Sequence, residues 1–297
     1  MVSQIVGNYL VELGIITRGQ LLVLNKERQK LRAKLGLIAV SEGYMTSMEV
    51  KAIYDEIPED EPSRERAFAD AAEELGYLTK SQIRSLAYKQ NDSYLCLVEA
   101  MEKHNIIDIE SLEDILRKFP LTKNEVQIDD LKSNDVNRII PLFLPPEAED
   151  YIDAASSAMR FLNHKVDENI YPLHAFVTDK FSASNGVIQI AKGEKEYAYA
   201  IVAKNEELAI VSTCYMRERY DGIDEEILDI VGEIVNKMSS SYATELSQDG
   251  VLIDLMPPQT YLTMNEIITG GMLVLTLTVK NETFYLLICM SNVIEIR

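Results

Sequence analysis

Between Asp224 and Leu246 the apolar residues stand at Ile227, Ile230, Val231, Ile234, Val235 and Met238. This is the i, i+3, i+4, i+7 spacing of a helix that buries one stripe. At 100° per residue, Asp229, Glu233, Asn236 and Ser240 gather on the opposite side, within roughly 60° of arc. The row is predicted to point away from the core. Carboxylates accept hydrogen bonds, and an amide both donates and accepts. Such a row has the groups to grip a charged partner and orient a water molecule. Spacing alone favours a merely solvated helix face.

Residues 1–118 carry helical periodicity and almost no strand signal. They also repeat. Glu12–Leu21 reads ELGIITRGQL and Glu74–Ile83 reads ELGYLTKSQI. Weaker copies follow, with Gly36–Thr46 aligning on Gly7–Thr17 and Leu97–Asp108 on the start of the second half. Each copy reads as a helix, a tight turn at Gly14, Gly43, Gly76 or Asn105, and a Thr or Asp that caps the next helix. Four such units stacked together would bury faces that none could bury alone. From 119 to 144, Pro120, Pro141 and the polar run LTKNEVQIDDLKSND predict a linker, with Pro145 and Pro146 just past its end.

From 145 to 297 the pattern mixes. Asp150–Leu162 reads as a helix with Ile152, Ala155, Met159 and Leu162 on one face. Val187–Ile190 and Tyr197–Val202 read as strands of a hairpin. In the second strand Ala198, Ala200 and Val202 form the row small or branched enough to lie under a helix. Asn205 is the expected cap of a helix running to about Glu218, with Glu206 and Glu207 in its first turn. A strand over Gly250–Leu255 should stop at Pro257–Pro258. Leu273–Val279 and Phe284–Met290 make a hairpin around Lys280-Asn281-Glu282. The order is not the regular alternation of a parallel sheet. The fold class expected is α+β: an N-terminal all-α helical-repeat domain, then a domain of long helices packed on an antiparallel sheet.

Composition narrows the partners. Over 297 residues the net charge is -19, which disfavours nucleic acid and anionic membrane surfaces. No stretch reaches the ~18 apolar residues of a membrane span, and no cationic, apolar leader opens the chain. Cys96, Cys214 and Cys289 lack metal spacing, and their odd number suits a reducing cytoplasm. His104, His164 and His174 show no ligand spacing, and there is no Gly-rich phosphate loop. No metal or cofactor is expected on the chain itself.

Two resemblances add to this reading. Gly7, Leu10, Val11, Gly14 and Ile16 follow the Gly-x-x-Leu-Val-x-x-Gly-x-Ile signature of the N-terminal helical domain of type II secretion and type IV pilus ATPases. Some members of that family bind cyclic di-GMP through an Arg-Leu-Gly opening. This chain has Ile5-Val6-Gly7 and Lys34-Leu35-Gly36 instead, so a packing or docking module is the expectation. In the second half, Asp229, Glu233, Asn236 and Pro258 follow the signature of the CheC/CheX/FliY chemotaxis phosphatases. There an acid or Ser is followed by Glu, then Asn, then Pro; here 21 residues separate Asn236 from Pro258. The stretch Lys237–Ser241 departs from the usual small residues, and its effect is expected on helix packing alone. A second motif helix, present in CheC-like members, is absent: Ala154 and Ser157 stand where Glu and Asn would. One site is therefore expected, as in CheX.

The resemblance implies a phosphatase acting on the aspartyl phosphate of a CheY-like response regulator. By it, Asn236 would hold the attacking water and Glu233 would pair with the regulator's active-site Lys. Asp229, Ser240 and Pro258 would support the contact, and the regulator would supply Mg²⁺. It further implies a homodimer, with the hairpin Leu273–Met290 able to continue the sheet across the two-fold axis. The alternative expectation is a non-catalytic module that docks a response regulator or a chemotaxis complex.

Overall fold

A computed structural model describes residues 1–119, 128–291 and 293–297. The chain divides into two compact units, Val2–Phe119 and the remainder.

The first unit is all helical: α1 (Val2–Glu12), α2 (Arg18–Arg28), α3 (Leu35–Ser41), α4 (Ser47–Glu56), α5 (Arg64–Glu74), α6 (Lys80–Lys89), α7 (Ser93–Lys103) and α8 (Ile109–Leu116). They pair as four helix–turn–helix repeats. Each first helix ends on a residue with positive φ, at Gly14, Gly43, Gly76 and Asn105. The chain there doubles back, as in Ile15 N donating to Leu10 O at 3.0 Å and Tyr77 N to Ala72 O at 2.9 Å. Three residues later the next helix is capped. Thr17, Thr46 and Thr79 close reciprocal capping boxes with Gln20, Glu49 and Gln82, and Asp108 accepts from Ser111 N. Of Gly7, Leu10, Val11, Gly14 and Ile16, three take part in packing. Leu10 and Ile16 are buried, and a side chain on Gly7 would collide with Leu21.

The second unit begins, within the described residues, with α9 (Ile128–Lys132) and α10 (Val136–Phe143). The stretch expected as linker is therefore largely helical past Ile128; residues 120–127, including Pro120, lie outside the described residues. Ile139, Ile140, Leu142 and Phe143 are buried, and that burial outweighs the hydrogen bond lost at Pro141 inside α10. A 3₁₀ turn at Pro146–Tyr151 leads into α11 (Ile152–Phe161).

The sheet follows: β1 (Tyr171–Phe181), β2 (Asn185–Gly193) and β3 (Tyr197–Ala203), then α12 (Leu208–Met216) and α13 (Glu225–Gln248). Next come β4 (Ile253–Leu255), β5 (Gln259–Tyr261), β6 (Ile267–Val279), β7 (Glu282–Cys289) and β8 (Ile294–Ile296). The order is β1-β6-β7-β3-β2-β4, with β5 on β2 and β8 on β6, all antiparallel. The fold is α+β, with an N-terminal helical region and a C-terminal sheet-containing domain.

One face of the sheet carries α11, α12 and α13 over Val187, Ala191, Tyr197, Tyr199 and Ile201. The row under the helices is thus the tyrosines, and Ala198, Ala200 and Val202 face the other side. The reversal has a cause. The helices already present small groups, Ala154, Ala155, Ala158 and Ser239, so large rings fill the gap. Their hydroxyls then reach helix carbonyls: Tyr197 donates to Ser239 O at 2.9 Å and Tyr199 to Ala154 O at 2.7 Å.

Other expectations also shift. Strand β1 escapes the periodicity because its register slips at Pro172/His174 and again at Thr178/Lys180, which breaks the period of two. Asn205 does not cap α12. Its backbone N–H and side chain both donate to Glu207, at 2.7 and 3.0 Å, and the helix starts at Leu208. That helix ends at Met216, where Arg217 turns left-handed with φ 62°. The last hairpin turns on Lys280 and Asn281, both at positive φ, a two-residue loop matched to strand twist. It lies inside the sheet, with β6 paired to β1 and β7 to β3, so it is not free to continue the sheet into a second copy.

The repeat turns make a direct test. Gly76 has φ +78°, and an added Cβ would meet nothing within 4 Å. Gly76→Ala should therefore cost only backbone strain, about 1–2 kcal/mol, and Gly76→Asn distinctly less. Urea unfolding of the full chain, followed by far-ultraviolet circular dichroism, measures both; an unmoved midpoint for Gly76→Ala would contradict the repeat reading.

Candidate functional site

Helix α13 organises the site. Asp224 caps it, its carboxylate accepting from Ile227 N at 2.9 Å, and Glu225 and Glu226 occupy its positive N-terminal end. Its apolar stripe, from Ile227 to Leu246, is buried against the sheet. That burial fixes the rotation of the helix about its axis. Asp229, Glu233 and Asn236 are exposed in consequence, and Ser240 is half-buried.

The four residues stand in different circumstances. Asp229 carries no hydrogen bond or ion pair to another described residue. Glu233 is held from two sides. Lys237 Nζ lies 2.6 Å from its Oε1, and the Tyr215 hydroxyl donates to the same oxygen at 3.0 Å. Lys237 also donates to the Tyr215 oxygen at 2.8 Å. The Lys237 and Tyr215 hydrogen bonds hold the Glu233 carboxyl below the usual carboxylate range, and the Glu233 bond raises the Lys237 pKa in turn. The departure at Lys237 therefore reaches the polar row itself, because i and i+4 share a helix face; it is not confined to packing. Ser240 spends its proton on its own helix, donating to Asn236 O at 2.7 Å.

Asn236 is reached from below. Gln189, on the helix-facing side of β2, donates from Nε2 to Asn236 Oδ1 at 2.7 Å and to Met256 O at 2.8 Å. Met256 is pinned by its own N–H on Ile190 O at 2.9 Å. It precedes Pro257 and Pro258, which interrupt the ladder between β4 and β5, both paired to β2. Pro258 is brought against α13 there: a Cβ built on Gly232 would lie 3.9 Å from Pro258 and from Val187. The structure thus gathers Asp229, Glu233, Asn236, Ser240 and Pro258 along one helix.

Sequence reading missed three partners. Lys237 was legible as an i+4 pair of Glu233. Gln189 was the one polar residue within the apolar run Val187–Ala191 of its strand. Tyr215 gave no local signal, since α12 is apolar nearly throughout. The remaining nucleophiles are quiet. All three cysteines are free and buried, and burial pushes the Cys289 thiol up to about 12. No group of His, Cys, Asp and Glu among the described residues could hold a metal. No helix among them is long and apolar enough to cross a membrane. In the helical unit, Lys34 pairs with buried Glu99 at 2.9 Å. The N–H groups of Lys34 and Leu35 are taken by the Glu99 and Glu65 carboxylates. The start of α3 is thus already filled by acids, which opposes a phosphate there.

Comparison with known proteins follows the same stretch. The model of the CheC-like family matches residues 226–262. Among solved structures, a CheC-like superfamily protein from Shewanella sp. PV-4 is 19% identical, covering 48% of this chain and 97% of that one, with a TM-score of 0.42. The chemotaxis protein CheX from Vibrio vulnificus is 16% identical over 46% and 95%, TM-score 0.38. A CheX–CheY–BeF₃–Mg²⁺ complex from Borrelia burgdorferi is 19% identical over 49% and 96%, TM-score 0.36. Among curated proteins none matches. The family likeness falls on the segment that contains Asp229, Glu233, Asn236, Ser240 and Pro258.

Proposed function

We propose that the second unit is a protein-aspartyl-phosphate phosphatase acting on a CheY-like response regulator. The observation that carries this reading is Asn236 standing exposed one turn beyond Glu233 on α13, within the segment similar to the CheC-like family. An acyl phosphate is already activated. Its hydrolysis needs a positioned water and charge neutralisation more than covalent help. Asn236 holds the water in line with the phosphorus. The water oxygen attacks, the bond from phosphorus to the aspartyl oxygen breaks, the carboxylate leaves, and the water proton passes to the phosphate. The regulator supplies Mg²⁺ and a Lys against the phosphate charge. Glu233 meets that Lys, and Asp229 lends a second acid one turn away. Ser240 and Pro258 shape the surroundings of Asn236 without taking part.

Glu233 must exchange partners to do this. Its bonds to Lys237 and Tyr215 are exposed at the surface, where ion pairs are weak and screened by salt. A partner's ammonium can displace Lys237 once the contact is desolvated. The proposed homodimer is tested separately by light scattering on the full chain, where a monomer mass would remove it.

Three outcomes are expected. Asn236→Ala should lower phosphate release from an acetyl-phosphate-charged CheY-type receiver by about two orders of magnitude and leave docking largely intact; a mutant as fast as wild type would refute the assignment. Binding without any acceleration by the wild-type chain would favour the docking module instead. Glu233→Ala should weaken receiver affinity, and unchanged affinity in calorimetry would remove its role. Lys237→Met should free Glu233. Because Lys237 lowers the Glu233 pKa, the carboxyl titration followed by carbon NMR should move upward in this variant. Any stability from the pair is present at neutral pH and lost as pH falls through the lowered Glu233 value. A titration midpoint that stays put would show that Lys237 does not hold the carboxylate.

A further inference from the structure

Gln189 is 1% exposed, a primary amide beneath α13 and flanked on its own strand face by Val187 and Ala191. Burying such a group is unfavourable unless its bonds are made. Its NH₂ group makes two, to Asn236 Oδ1 and Met256 O, while its Oε1 is buried without a partner. A leucine or methionine would fill this place at no such cost. A buried polar group kept at a cost in stability, and in contact with the site, marks a functional role.

The geometry points to Gln189 as the positioning residue that decides which end of the Asn236 amide faces the partner. The constraint begins at the backbone. Met256 O can only accept, so the end of Gln189 facing it is the NH₂. That same NH₂ faces Asn236, so the end of Asn236 turned inward is the carbonyl, Oδ1. The Nδ2 of Asn236 is then the end left outward, and it can only donate. Met256 itself cannot drift, since its N–H is bonded to Ile190 O and Pro257 and Pro258 follow. A chain of three fixed groups thus converts an exposed, freely rotating amide into an oriented N–H donor. In the reaction proposed above, on which this inference rests, Asn236 N–H donates to one lone pair of the water. The other lone pair is left for the phosphorus. Orientation is settled before the partner arrives, so no ordering of the amide opposes the transition state.

The test uses the full chain, a CheY-type receiver charged with acetyl phosphate, and three variants: Asn236→Ala, Gln189→Met and Asn236→Asp. Gln189→Met should unfold at the same or a higher urea concentration than wild type. It should lose tenfold or more in turnover with the half-saturating receiver concentration unchanged. Its Asn236 side-chain amide, resolved by nitrogen NMR in the absence of any receiver, should become mobile. A merely structural Gln189 would lower stability and leave that amide ordered. Asn236→Asp keeps the inward acceptor and removes the outward donor, at an exposed position that the fold tolerates. It should be as slow as Asn236→Ala.

Turnover within twofold of wild type in Gln189→Met, with Asn236→Ala inactive, overturns the positioning role and spares the phosphatase reading. Asn236→Asp turnover near wild type overturns the donor assignment. If Asn236→Ala turns over like wild type, the phosphatase reading fails. The NMR comparison then decides alone: an Asn236 amide equally ordered with and without Gln189 overturns the orientation, and one released by Gln189→Met upholds it.

Discussion

The candidate site depends on how α13 is pressed onto the sheet. Its apolar stripe meets Val187, Ala191, Tyr197 and Tyr199, and each fully buried Ile, Val or Met there contributes about 1.5–3 kcal/mol. A helix held that firmly has one allowed rotation about its axis. The outward direction of Asp229, Glu233 and Asn236 is therefore a by-product of burying the residues between them. The tyrosine hydroxyls strengthen the same seating. Tyr197 bonds a carbonyl of α13 and Tyr199 one of α11, so the two helices are tied to one strand.

On this frame the polar residues form two kinds of contact, and burial separates them. The Gln189 bonds to Asn236 and Met256 are part-buried and come from an enclosed amide, so they hold their geometry more firmly. The Lys237 and Tyr215 bonds to Glu233 are surface contacts, so they exchange readily. A helix that must present a fixed amide and a carboxylate able to change partners needs both sorts. The structure supplies them one turn apart.

The helical unit works by different means. Its order comes from short-range instructions repeated four times: a left-handed residue to end a helix, and a Thr or Asp three residues later to start the next. These use local backbone bonds, and they recur wherever the same few residues recur.

That difference explains what was legible. The sequence by itself determined the repeat turns and caps of the helical unit, the α+β class, the span of α13 and the outward row on it, because each follows from spacing within one turn or one helix. Tertiary structure alone decided the rest. Strand β1 depends on two register slips that only its pairing with β6 reveals. The tyrosine row chose the helix side because the helices above it are small-sided. Tyr215 meets Glu233 only because α12 packs beside α13. Gln189 meets Asn236 and Met256 across 47 and 67 residues of chain. No periodicity records a contact of that kind, since the pattern of a strand shows which face a side chain takes but not what the fold sets above it.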